Sequence, residues 1–172
     1  MQIIDCTTDH AGQILAILND AIRHSTALYD YQPRTMENMT AWFESKRRGN
    51  YPVVGIINDD NQLMAFGSYG PFRAWPAYKY TVEHSLYVQK DHRGKGLGKQ
   101  ILAELIKHAE RQEYHCLMAG IDSNNAISLQ LHQAFGFVLC GTIRQVGFKF
   151  NQWLDLAFYQ LLLKTPTHPV DG

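Results

Sequence analysis

The stretch Val88-Gln-Lys-Asp-His-Arg-Gly-Lys-Gly-Leu-Gly-Lys99 decides how this chain is read. Residues 80–88 alternate like a strand, glycines follow at 94, 96 and 98, and Leu97, Ile101, Leu105 and Ala109 then recur at helical spacing. Glycines let main-chain N–H groups approach an anion. The start of a helix adds unpaired donors and a positive potential, and Arg93, Lys95 and Lys99 add charge. Strand, glycine turn and helix in that order predict a diphosphate site. A P-loop does not fit, because it needs four residues between its glycines and a hydroxyl after the lysine, where Gln100 stands. A dinucleotide fingerprint does not fit either, because the glycines run GxGxG and the strand follows a hairpin instead of opening a βαβ unit. What remains is RxxGxG, made by Arg93, Gly96 and Gly98.

Upstream, residues 2–6 read as a strand. Thr8 or Asp9 then caps a helix with Ile14, Ile17, Leu18, Ala21 and Ile22 on one face, ending near Ser25. Thr35 caps a second helix carrying Met36, Met39, Trp42 and Phe43, which Gly49 stops. Residues 51–57 and 63–69 are β-rich runs around Asn58-Asp-Asp-Asn61, the turn chemistry of an antiparallel hairpin. Downstream come a strand near 115–121, a helix near 126–135 closed by Gly136, and strands over 137–143 and 153–163. These elements predict a mixed α/β (α+β) sheet covered by helices, with a parallel element around the helix after Val88. Residues 1–164 read as one domain, and 165–172, with two prolines, as a flexible tail.

Sixteen Lys and Arg balance sixteen Asp and Glu, so no net field draws nucleic acid or an anionic membrane. The apolar stretches are of strand length, short of the ~20 residues of a spanning helix. The N-terminus MQIIDCTTDH lacks the regions of a secretory signal, and a cytoplasmic protein is expected. Cys6, Cys116 and Cys140 form no CxxC pair and read as small core hydrophobes. The histidines scatter without HExxH or a Cys/His cluster, so no metal is expected. Lys46, Arg47 and Arg48 end a helix, where cations complement the macrodipole and solvent screens them.

Strand, RGKGLG turn and helix resemble the coenzyme A signature of the GCN5-related N-acetyltransferases. The later segment Asn124-Asn-Ala-Ile-Ser-Leu-Gln-Leu-His-Gln-Ala-Phe-Gly-Phe137 is similar to that family's NxxSxxLHxxxGF element. Tyr80-Thr-Val-Glu-His-Ser-Leu-Tyr-Val88, Val146-Gly-Phe-Lys-Phe150 and Trp153-Leu-Asp155 resemble the phosphinothricin N-acetyltransferase group, which includes acetylases of methionine sulfoximine and methionine sulfone. The resemblance implies a mixed sheet of about seven strands with helices on both faces and a splay between two central parallel strands. It also implies acetyl-CoA as cofactor, a homodimer, and acetyl transfer to the α-amine of a small amino-acid-like acceptor. A polyamine, aminoglycoside or protein N-terminal acceptor stays open, as does a non-catalytic coenzyme A-binding module.

An amine attacks a thioester only as a free base, so a carboxylate is needed to take its proton. Glu83 lies in an otherwise apolar strand shortly before the glycine turn and is the candidate base; the alternative is an ion pair with a nearby Arg or Lys. Arg73 stands among aromatics and suits a substrate carboxylate, with Trp75, Tyr78 and Tyr31 as walls, although aromatic loops also cap cores. By the resemblance, the Val88 N–H faces the developing oxyanion, and Leu86, Tyr87 and Val88 pair their backbones with pantetheine. The resemblance also gives the diphosphate to Arg93, Gly94, Lys95, Gly96, Leu97, Gly98 and Lys99. Asn125, Ser128 and His132 fall on one helix face at i, i+3 and i+7. The resemblance assigns Asn125 and Ser128 to the cofactor arm. His132 stands where many relatives place a tyrosine acid, and its readings are that acid, a hydrogen bond to pantetheine, or a satisfied surface histidine.

Overall fold

Residues 1–171 are described by a computed structural model; Gly172, the last residue of the expected tail, lies outside the described residues. The strands β1 (Gln2–Asp5), β2 (Val53–Ile57), β3 (Leu63–Pro71), β4 (Thr81–Val88), β5 (Cys116–Asp122), β6 (Val138–Lys149) and β7 (Gln152–Leu162) form a mixed sheet in the order β1-β2-β3-β4-β5-β7-β6. Contacts group the chain into two compact units, one of Met1–Gly70 with Ser85–Leu105, the other of Pro71–His84 with residues from 106 onward.

In the first unit, β1 (Gln2–Asp5) pairs antiparallel with β2 (Val53–Ile57), and β2 with β3 (Leu63–Pro71). The hairpin turn is tied by Asn58, whose Oδ1 accepts the N–H groups of Asp60 at 3.0 Å and Gln62 at 2.8 Å. Helix α1 (Ala11–His24) starts later than its cap residues suggest. Thr7 and the His10 ring cap a single 3-10 turn over Thr8–His10, and the α-helix takes over from there. Helix α2 (Met36–Arg48) begins at Thr35 as expected, in a reciprocal cap with Asn38: Asn38 N–H to Thr35 Oγ1 at 3.3 Å and Thr35 N–H to Asn38 Oδ1 at 2.9 Å.

Ile14, Ile17, Leu18, Met39 and Phe43 from the two helices share one core with Val53, Ile57, Leu63 and Phe66 from the sheet. The neighbouring Gly67 faces the other way. A Cβ there would lie 2.5 Å from Ile101 and 2.9 Å from Leu105, so glycine is what lets α3 (Leu97–Arg111) approach β3. Lys46 departs from the solvated basic run expected of it. It turns inward and donates to the Tyr69 carbonyl at 2.7 Å, with its ammonium 5.3 Å from the Trp42 ring centroid.

In the second unit, β4 (Thr81–Val88) enters parallel to β5 (Cys116–Asp122), with Thr81, Val82 and Glu83 opposite Cys116, Leu117 and Met118. β5 pairs antiparallel with β7 (Gln152–Leu162), and β7 with β6 (Val138–Lys149). Helix α4 (Ala126–Ala134) ends at Phe135, and Gly136 takes the left-handed φ of 86° that closes it. β6 runs six residues beyond its expected end at Ile143. The register slips between Ile143 and Gly147, Gln145 adopts a φ of 52°, and its N–H reaches Asp155 Oδ1 at 2.7 Å. This bulge breaks the period-two pattern from which a strand is read. Phe150 and Asn151, with φ of 50° and 58°, make the two-residue turn into β7.

Cys6 and Cys116 are buried, but Cys140 is exposed, because it sits on β6, the sheet's last strand. In the C-terminal segment, the Thr165 hydroxyl donates to the Tyr114 carbonyl, and Val170 N–H donates to the Tyr80 hydroxyl at 3.1 Å.

Candidate functional site

In the first unit the chain leaves β4 at Val88 and is fastened at once, Gln89 N–H donating to the Met64 carbonyl at 2.8 Å. Gly94 and Gly96 both take left-handed backbone, with φ of 76° and 75°, and a Cβ on either would meet nothing within 4 Å. Backbone conformation, not crowding, therefore demands glycine, and the turn presents an open main-chain face. Helix α3 opens one residue later, the Gln100 N–H closing on the Gly96 carbonyl at 3.3 Å. The N–H groups before it have no intrahelical acceptor. Leu97 is buried and anchors the turn, while Arg93, Lys95 and Lys99 are exposed. Arg93 Nε donates to the Val88 carbonyl at 3.3 Å and Lys95 Nζ to the Asp91 carbonyl at 3.3 Å. Amides without an intrahelical acceptor, an open cradle and three cations fit a diphosphate.

Leu86 and Val88 are half-buried, and the Tyr87 ring packs 5.4 Å from Phe66. Burial pushes the Tyr87 hydroxyl up to about 12, so it is neutral at physiological pH. Tyr31 is exposed in the loop between α1 and α2. That loop is held by Asn19, which brackets the Arg34 backbone with bonds of 3.0 and 2.8 Å.

In the second unit Glu83 is half-buried, its carboxylate over Gly120 of β5: a Cβ at Gly120 would stand 3.1 Å from Glu83 Oε1. Burial raises the Glu83 pKa above the ordinary carboxylate value, and the Arg73 charge pulls part of the way back. Arg73 lies 4.4 Å from the centre of the Phe72 ring and donates to the Phe72 carbonyl at 3.1 Å. Phe72 in turn meets Tyr78 at 5.8 Å and Phe158 at 6.3 Å, both edge-on. This unit therefore brings Arg73, Tyr78 and Glu83 to one neighbourhood. Trp75 leads into the 3-10 turn Pro76–Tyr78 and is 69% exposed.

Helix α4 distributes its three polar residues differently from a uniform polar face. Asn125 is the N-cap, its side chain accepting the Ser128 N–H at 3.1 Å, and both residues are half-exposed. His132 instead turns inward and is buried. Its Nδ1 lies 2.7 Å from the Ser128 carbonyl and its Nε2 2.9 Å from Nε2 of His84. Phe137 packs against both rings, at 5.4 Å from His84 and 5.1 Å from His132. Burial lowers both pKa values, that of His84 to about 3, so both imidazoles are neutral at pH 7. His84 is the buried partner of His132 that sequence reasoning misses. The strand alternation places it on the buried face with Val82, and a buried imidazole needs a partner, but that partner lies 48 positions away. Among the described residues no group of three or more His, Cys, Asp or Glu gathers to hold a metal ion.

An L-methionine sulfoximine/L-methionine sulfone acetyltransferase of Pseudomonas paraeruginosa is 44% identical over 150 residues, covering 87% of each chain. The crystal structure of a ribosomal-protein-alanine N-acetyltransferase from Brucella melitensis superposes with a TM-score of 0.92 at 39% identity, covering 95% of this chain and 100% of that one. A GNAT superfamily phosphinothricin acetyltransferase from Sinorhizobium meliloti, solved in complex with acetyl-CoA, superposes with a TM-score of 0.93 at 28% identity, covering 98% and 91%. The model of the acetyltransferase (GNAT) family matches residues 16–137, which takes in the glycine turn, Glu83 and the whole of α4, and the chain belongs to that family.

Proposed function

We propose that this chain is an acetyl-CoA-dependent N-acetyltransferase acting on the α-amine of a small amino-acid-like acceptor such as methionine sulfone, methionine sulfoximine or phosphinothricin. The observation that carries the reading is a single strand, β4, that holds a half-buried carboxylate within electrostatic reach of the Arg73 guanidinium and then runs into an open glycine turn at a helix start. Bound acetyl-CoA supplies an acetyl thioester. The backbone of Gly94 to Lys99, with Arg93, Lys95 and Lys99, holds its diphosphate. Leu86, Tyr87 and Val88 would offer their main chain to the pantetheine arm, and Asn125 and Ser128 would contact that arm. The Val88 N–H would be the donor offered to the carbonyl oxygen that gains charge. Glu83 takes the proton from the acceptor's ammonium, a task for which a raised pKa brings the carboxylate nearer the working pH. His132 orders the start of α4 through the Ser128 carbonyl. Arg73 binds the acceptor carboxylate, with Tyr78, Trp75 and Tyr31 as walls.

A panel of methionine sulfone, methionine sulfoximine, phosphinothricin, spermidine and an alanine-terminated peptide, assayed by release of free coenzyme A thiol, tests the acceptor class. Turnover is expected with the three carboxylated amines. Arg73→Ala should raise their KM about tenfold or more, by loss of a charge-assisted pair, and leave the others unaffected. A peptide preference would favour the second reading, a protein N-terminal acetyltransferase, which the Brucella relative's name supports.

We extend this reading to a cytoplasmic homodimer. β6 is the last strand of the sheet, and Val138, Leu139, Ile143, Val146 and Phe148 on it are all exposed, as is Trp153 on β7. An edge strand with such a surface suits self-association. Light scattering should give twice the chain mass, and Val146→Glu with Phe148→Glu should give a monomer; a monomeric parent protein would refute this part.

A further inference from the structure

We propose that His84 is a positioning residue, which donates Nε2–H to His132 and fixes that ring as the neutral tautomer whose Nδ1–H ties the first turn of α4. Its functional consequence rests on the acetyltransferase reading above; its structural half rests on hydrogen-bond polarity alone. The Ser128 carbonyl can only accept, so the 2.7 Å contact requires the proton on His132 Nδ1. A neutral imidazole with its proton there has a bare Nε2, and the 2.9 Å contact must then be filled by a proton from His84 Nε2. His84 is left bare at Nδ1, and that is the atom found buried with no hydrogen-bond partner among the described residues.

The opposite assignment would put the His84 proton on Nδ1, toward the Met118 backbone, which acts on the ring as a hydrogen-bond acceptor. Two lone pairs would then face each other across 2.9 Å unless the pair bound a further proton. With the two residues only 6% and 3% exposed, that buried charge is the less favourable state. Both ring nitrogens of His132 are therefore committed, and the ring acts as a directional strut from β4 to the turn that carries Asn125 and Ser128. His84 and Glu83 are adjacent on β4 and point to opposite faces, so His84 can be replaced without displacing the carboxylate.

Imidazole 15N spectra of the ligand-free protein at neutral pH test the structural half. The expected pattern is N–H character at His132 Nδ1 and His84 Nε2, with bare nitrogen at His132 Nε2 and His84 Nδ1. N–H character at His132 Nε2, or a doubly protonated ring, would overturn the proposal. The functional half is read by calorimetry with coenzyme A. His84→Phe keeps a ring without a donor and should bind about tenfold more weakly, whereas His84→Gln restores an N–H donor and should recover most of the loss. If the volume of residue 84 alone mattered, Phe would bind at least as well as Gln, and that ranking would refute the role. Should His84→Phe not fold, the spectra of the parent protein and the binding of His84→Gln still decide. Failure of the parent protein itself to bind coenzyme A would strike the acetyltransferase reading and leave the tautomer result standing.

Discussion

Glu83→Gln is expected to lower kcat by about 10²- to 10⁴-fold at neutral pH, the range by which a positioned base contributes. The dissociation constant for acetyl-CoA should barely change, because the carboxylate is assigned to the acceptor's proton and not to the carrier. The pH profile should carry the same signature. A general base works only when ionised, so kcat/KM of the parent enzyme should rise with pH and level off above the Glu83 pKa. Burial raises that pKa and Arg73 only partly offsets it, so the inflection should lie above the ordinary carboxylate value. Arg73→Ala removes the offsetting charge and should move the inflection further up. Turnover of Glu83→Gln equal to that of the parent would take the residue out of the mechanism.

Gly96→Val should weaken acetyl-CoA binding by roughly tenfold to a hundredfold. A β-branched residue at a φ of 75° is strained by about 1–3 kcal/mol. Each 1.4 kcal/mol is about tenfold in affinity if the turn must be held in this shape to bind. Since no atom lies within 4 Å of the place a Cβ would take at residue 96, the effect arises from backbone conformation and not from a clash within the protein. A melting temperature close to that of the parent would separate a lost binding conformation from general unfolding. Unchanged affinity would mean that the turn does not hold the diphosphate.

The fold is legible in the sequence where local chemistry speaks alone. Thr35 with Asn38, Asn58 in its turn, and Gly136 at a left-handed helix end each settle one boundary from side chains a few residues apart. The glycine turn is legible for the same reason, since three glycines and three cations stand within seven residues. β6 reads too short because a bulge at Gln145 shifts the alternation, and its cause, a bond to Asp155, comes from another strand. Cys140, read as a core residue, is exposed on the last strand of the sheet, where the register shifts a first time between Leu139 and Gly141. Thr8 and Asp9 each resemble a helix cap, but the His10 ring reaches back to the Thr7 backbone and moves the cap outward. Lys46 and His84 share one lesson: both are polar groups whose partners, Tyr69 and His132, are distant in sequence, so only tertiary packing discloses them.

The proposed acetyl transfer requires the main-chain amides between Gly94 and Lys99 to receive the diphosphate of a thioester carrier. Isothermal titration of the purified protein with acetyl-CoA, ATP and NAD tests this most directly. Saturable binding of acetyl-CoA, with neither nucleotide competing at similar concentration, is the predicted result; no heat with acetyl-CoA, or tighter binding of ATP or NAD, would contradict it.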